Sequence, residues 1–242
     1  MKYNRRDSLK ANAISKLILA ILSLCVGTLC FAPTNSALTV DETDREIYSL
    51  AGDDAKGICL MFNVYWGTDE VYQILQTLEA YEAKATFFIG GAWADDNVDC
   101  LKAIAEKGHE IGNHGYFHKA HDKLSFAKNQ EEIENCNRFI QTVLGKTPTL
   151  FAPPSGAYND ETLRACKALG MKTILWSKDT IDWRDKDAAL IYKRATKNVT
   201  RGDFILLHPM AETVVALKDI LQYYEKYNLE TVTVSENLQK EG

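Results

Sequence analysis

Gly108-His109-Glu110-Ile111-Gly112-Asn113-His114-Gly115-Tyr116-Phe117-His118 runs from a short strand-like segment straight into two histidines four residues apart. Residues 110–113 read as a strand, and the chain beyond them carries imidazoles where an ordinary polar turn would do. Two imidazoles at this spacing can meet one metal ion if the segment turns or enters a helix. Alone, such a pair is a weak signal. Its place directly after a strand gives it weight.

The same arrangement repeats outward in both directions. Short β-rich runs at 58–62, 85–89, 110–113, 149–151, 172–176, 204–207 and 230–234 alternate with amphipathic stretches at 69–81, 98–107, 126–144, 160–169, 188–198 and 211–227. That alternation is the mark of β/α units around a parallel sheet. The expected fold is therefore α/β, a small, incomplete (β/α) barrel of about seven parallel strands. Asn63, His114, Asp179 with Asp182, and His208 all fall where a strand run stops being apolar. In parallel barrels the loops at those strand ends meet on one face, so residues distant in sequence are expected to converge there.

The bulk numbers fit one exported domain. The chain has 242 residues, 46% hydrophobic and 25% charged, enough for one sizeable core and too few to require two. Lys2, Arg5, Arg6, Lys10 and Lys16 precede an uncharged run at 17–32, the composition of an export signal. That run is shorter than the roughly 20 residues a spanning helix needs. Residues 1–37 are thus read as a cleaved signal peptide or an N-terminal membrane anchor, 38–56 as a polar lead-in with little core of its own, and 57–242 as the domain. A secreted or extracytoplasmic protein follows, meeting the membrane only through its N-terminal segment. The leader carries five positive residues and one negative, so the remainder stands at −9 against −5 for the whole chain. An acidic domain without a basic stripe argues against nucleic acid as a partner. Cys59, Cys100, Cys136 and Cys166 are expected either as two disulfides or as buried free thiols.

Three further segments carry chemistry. His208 closes the 204–207 run before Pro209, and Asp182 is the candidate carboxylate that orients it for proton transfer. Asp182 as a cap of the helix starting near Asp187 is the competing reading. Phe151-Ala152-Pro153-Pro154-Ser155-Gly156 is a stiff turn, read either as a strand-to-helix loop or as a substrate wall that includes Pro154. Tyr65, Trp66, Tyr116, Phe117 and Trp183 lie near the presumed mouth, as platforms for sugar rings or as packing at the strand ends.

Taken in order, these segments resemble the polysaccharide deacetylases of carbohydrate esterase family four across about residues 57–238. His114 to His118 resembles the family's H-[ST]-x-x-H metal motif, and residues 85–91 its second strand. Residues 151–156 resemble R-x-P-x-G, residues 176–183 the D-x-x-D-W segment, and Ile205-Leu206-Leu207-His208 the closing L-x-H. The resemblance implies a divalent metal, zinc, held by His114 and His118, with His208 supported by Asp182 as catalytic acid. It also implies an N-acetylated glycan, peptidoglycan or a chitin-like oligomer, as partner, with Tyr65, Trp66, Pro154 and Trp183 as substrate contacts.

The first and third motifs depart from the pattern. Where the family has T-F-D-D-G, this chain has Met61-Phe62-Asn63-Val64-Tyr65. Asn63 stands in the catalytic position of the base, Val64 in that of the third metal ligand, and Ala152 where an arginine braces the base. An amide has no useful basicity, and general base catalysis contributes roughly 10²- to 10⁴-fold. Two imidazoles without a carboxylate make a weakened metal site, unless Asp69, Glu70 or Asp179 swings in. Three functions stand at this point: a metal-dependent deacetylase with a rearranged base, a glycan-binding pseudoenzyme, and a plain α/β scaffold.

Overall fold

The protein is described by a computed structural model at residues 47–52 and 54–239. The expected export segment lies outside the described residues. Eight strands form one sheet: β1 (Ile47–Tyr48), β2 (Cys59–Val64), β3 (Thr86–Ile89), β4 (Glu110–Asn113), β5 (Leu150–Phe151), β6 (Lys172–Ile174), β7 (Lys178–Asp179) and β8 (Phe204–Leu207). Their order is β1-β6-β5-β4-β3-β2-β8-β7, and every strand pairing is parallel. With β1 and β7 unpaired to one another, the sheet is an open half-barrel. Nine α-helices are seen among the described residues: α1 (Thr68–Ala80), α2 (Gly91–Asp96), α3 (Val98–Glu106), α4 (Phe126–Leu144), α5 (Asp160–Ala168), α6 (Asp182–Asp185), α7 (Ala188–Thr196), α8 (Ala211–Lys226) and α9 (Val234–Leu238).

Alternation along β2 builds two cores from one strand. Cys59 and Met61 pack inside the half-barrel with Phe88, Ala152 and Phe204, whereas Leu60, Phe62 and Val64 pack outward under α1 and α8 residues such as Leu75 and Leu217. Burying one Leu or Phe side chain contributes roughly 1.5–3 kcal/mol, so a one-residue slip in this register is strongly opposed. Because all pairings run parallel, the C-terminal ends of β2, β3, β4, β5 and β8 open onto one rim.

Two expectations about strands change. Residues 230–234 form no strand: only Thr231 bridges, to Ile58, and the chain then enters α9. Thr233 and Glu236 make a reciprocal capping box there, which commits the segment to a helix. The lead-in at 38–56 supplies β1, an edge strand on β6, and Ala51 joins the inner core. All four cysteines of the described chain are buried free thiols. Burial pushes Cys100 and Cys166 up to about 11 and Cys136 up to about 12.

Candidate functional site

At the rim, the loops after β4 and β8 bring three imidazoles together, and the loop after β2 lays Tyr65 and Trp66 against two of them. His114 directly follows β4 and is 2% exposed, with Nδ1 2.7 Å from the carbonyl oxygen of Ala152. That contact leaves Nε2 as the nitrogen available to a ligand. The His114 and His118 rings lie 5.0 Å apart, edge to face. His118 takes a left-handed backbone (φ 52°) that turns its ring back toward His114. Burial first, and then the nearby His118 and His208, hold His114 down to about 3. Burial also lowers His118, with His208 again contributing.

His208 forms the second half of the site. Its Nδ1 is 2.7 Å from Asp182 Oδ1, and Asp182 is fully buried. The carboxylate also accepts from His208 N at 2.6 Å, Thr213 Oγ1 at 2.7 Å and Trp183 N at 2.8 Å. A buried carboxylate is tolerated when its lone pairs are filled this way. Asp182 is therefore the partner of His208, and the cap of α7 is Asp187, which accepts from Ala189 N and Leu190 N.

The replaced first motif has the opposite character. Asn63 is 3% exposed, and its Oδ1 has no hydrogen-bond partner. Ala152 is fully buried, so no guanidinium is present at that position to engage the amide. Val64 packs in the outer apolar core. Asp69 and Glu70 open α1, and Asp179 Oδ1 accepts from Ile181 N at 2.8 Å. Among the described residues no three of His, Cys, Asp and Glu gather as a metal-binding group. The donor set thus fits a zinc ion only in part, with two imidazoles where four ligands are usual.

Aromatic rings cover what remains. Trp66 stacks on His208 at 5.6 Å and 5°, and its Nε1 reaches Met210 Sδ at 3.3 Å. Tyr65 lies 4.8 Å from His118. Gly67 makes this approach possible: at φ +74°, an added Cβ would sit 2.3 Å from the Pro209 oxygen. Trp66 and Trp183 stay 39% and 50% exposed, so both offer ring surface to a ligand. Pro154 is buried, packed beside Gly115 under the β4 loop, and offers no open face.

Several supporting residues carry no motif. Thr213, on the first turn of α8, holds Asp182. Glu132, on α4, accepts from Phe117 N at 2.9 Å and pairs with Lys119 at 2.9 Å, which ties down the loop between the two histidines. Asn113 Oδ1 accepts from Gly115 N at 2.7 Å, while its amide donates to Asn137. The signal available for α4 was polar residues on its buried stripe: Asn129, Glu132 and Asn137 occupy apolar-face positions.

Acid is expected to loosen this structure. His109 is held at about 4, chiefly by burial, and His114 at about 3, against roughly 6.5 in an unfolded chain. The unfolded state binds the protons first, so these groups cost nothing above pH 6.5 and destabilise as pH falls toward their folded values. At pH 4.5 each removes about 2.5 kcal/mol. Urea unfolding at pH 7 and pH 4.5 checks this; His109→Gln should flatten the dependence, and an unchanged slope would contradict it.

An open parallel half-barrel thus carries a histidine pair and a buried Asp–His pair at its rim, the arrangement in which the family comparison finds its match. The polysaccharide deacetylase family model matches residues 51–174, and the chain belongs to that family. It is 37% identical over 180 residues to a peptidoglycan-N-acetylglucosamine deacetylase of Bacillus cereus, covering 71% of this chain and 84% of that protein. It is 32% identical to the uncharacterized protein YlxY of Bacillus subtilis, covering 85% of this chain and 65% of YlxY, just under two thirds of that relative's length. The crystal structure of BA3943, a pseudoenzyme of the CE4 family from Bacillus anthracis, superposes with a TM-score of 0.78 at 29% identity, covering 81% of this chain and 71% of that one.

Proposed function

We propose that this chain is an extracytoplasmic glycan-binding member of the deacetylase family that has lost hydrolysis of N-acetyl groups. One observation carries the reading: the buried, unpartnered Asn63 oxygen in the position of the base, with Ala152 in place of its brace. Hydrolysis needs a group to take the proton of the attacking water, and an amide cannot take it. BA3943 is described as a pseudoenzyme, and a mutant of it as having restored enzymatic activity, which supports a family branch that keeps the fold without the reaction. Several relatives are peptidoglycan deacetylases, so the proposed ligand is peptidoglycan in preference to a chitin-like oligomer. The basic and apolar leader supports export, with membrane contact confined to that segment. His114 and His118 would hold any divalent metal, zinc by the chemistry of imidazole, and bound metal would polarise an acetamide carbonyl. With two protein donors, occupancy is proposed to be weak.

Active deacetylation is the second reading, and the intact His208–Asp182 pair favours it. Binding is tested first. Calorimetric titration of the chain with N-acetylated peptidoglycan oligomers should show saturable association, and Trp66→Ala should weaken it about five- to tenfold through lost ring stacking. No association with any oligomer would refute the proposed function.

A further inference from the structure

A groove of 430 Å³ lies beside the histidine loop, formed by Tyr116 and Phe117 on one wall and by Asn135, Arg138, Phe139 and Thr142 of α4 on the other. Phe117 immediately precedes His118 and is 54% exposed, and its ring packs against Tyr116 at 4.7 Å. Two of its lining residues, Tyr116 and Phe117, thus belong to the segment between the two histidines. Most of the charged groups beside it have partners of their own. Lys119 is taken up by Glu132, Glu131 pairs with Lys128, and Glu134 accepts from Gln130. Arg138 is exposed on the same helix, and its guanidinium has no ion-pair or hydrogen-bond partner among the described residues.

We propose that this groove binds the carboxylate-bearing part of a peptidoglycan chain, with Arg138 receiving the carboxylate and the Phe117 ring carrying the adjacent sugar. The inference rests on the glycan-binding function above and narrows it to an acidic glycan. Aromatic faces suit the apolar side of a pyranose ring. A planar guanidinium presents two parallel N–H donors that match a carboxylate, and Asn135 and Thr142 offer polar groups beside it. A chitin-like oligomer has rings for Phe117 and nothing for Arg138. The carboxylate can come from the lactyl group of a muramyl residue or from its peptide stem.

The test is equilibrium binding of the full chain to four oligomers of equal length: muramyl-containing with free lactyl acid, the same with that carboxylate reduced to an alcohol, stem-bearing, and N-acetylglucosamine only. Arg138→Glu is expected to weaken binding of at least one carboxylate-bearing oligomer about fivefold, a size suited to an exposed charge contact, and to leave the uncharged oligomers unchanged. Whichever acid oligomer responds identifies the source. Arg138→Lys should recover part of the loss, and Phe117→Ser should weaken all four. Equal binding of the acid and reduced forms, with no effect of Arg138→Glu, overturns the inference while glycan binding stands. Failure of all four oligomers to bind overturns glycan binding and this inference with it.

Discussion

Asn63→Asp, Val64→Asp and Ala152→Arg together should raise acetate release from N-acetylglucosamine oligomers at least ~10²-fold over the unaltered chain. The proposed acid needs no rebuilding, since His208 and Asp182 sit 2.7 Å apart with the carboxylate fully hydrogen-bonded. What is missing is a group basic enough to deprotonate water, a carboxylate beside the histidine pair, and a cation to brace the base. Asn63→Asp alone should gain far less, because a buried carboxyl with no cation nearby favours its neutral form. The triple variant should also carry a stability signature. Val64 is fully buried in the outer core, and a carboxylate there costs roughly 2–4 kcal/mol without metal. Zinc at about 100 times its dissociation constant should return about 2.7 kcal/mol. Thermal unfolding with zinc and with chelator checks this: a zinc-independent variant would contradict the assignment of position 64.

Asp182→Ala should cost about 3–5 kcal/mol of folding stability, among the largest effects of any single substitution here. Four donors converge on this carboxylate, from His208 N, His208 Nδ1, Thr213 Oγ1 and Trp183 N. Removing it leaves them in a site closed to water, where each unmet group is penalised. Thr213→Val removes one contact and should cost about 1 kcal/mol. Urea denaturation of both variants decides the matter. An Asp182→Ala loss below that of Thr213→Val would mean that the network does not hold the loop after β7 against β8.

Much of this was legible from residue order. The strand runs ending in Asn63, His114 and His208 placed those side chains on one rim, because parallel strands deliver their C-terminal ends to the same face. The helix ranges followed from apolar spacing and shifted by at most two residues at their ends, where caps decide. Segments with little periodicity were less readable. β1 and β7 are two residues long, too short for alternation to register, and each exists through pairing with a neighbour. Residues 230–234 look like a strand by composition, yet the Thr233–Glu236 box outweighs that preference. Thr213 acts through a tertiary contact that no local pattern announces, and the burial of Pro154 cannot be told from the turn's sequence.

The central claim is that the cleft persists while the base is gone, and acetate release by the unaltered full chain tests it most directly. Incubated with N-acetylated peptidoglycan oligomers that it binds, with and without added zinc, the chain should release no more acetate than an Asn63→Leu variant. Acetate above that background, abolished by His114→Ala, would show that another group serves as base and that this chain is a working deacetylase.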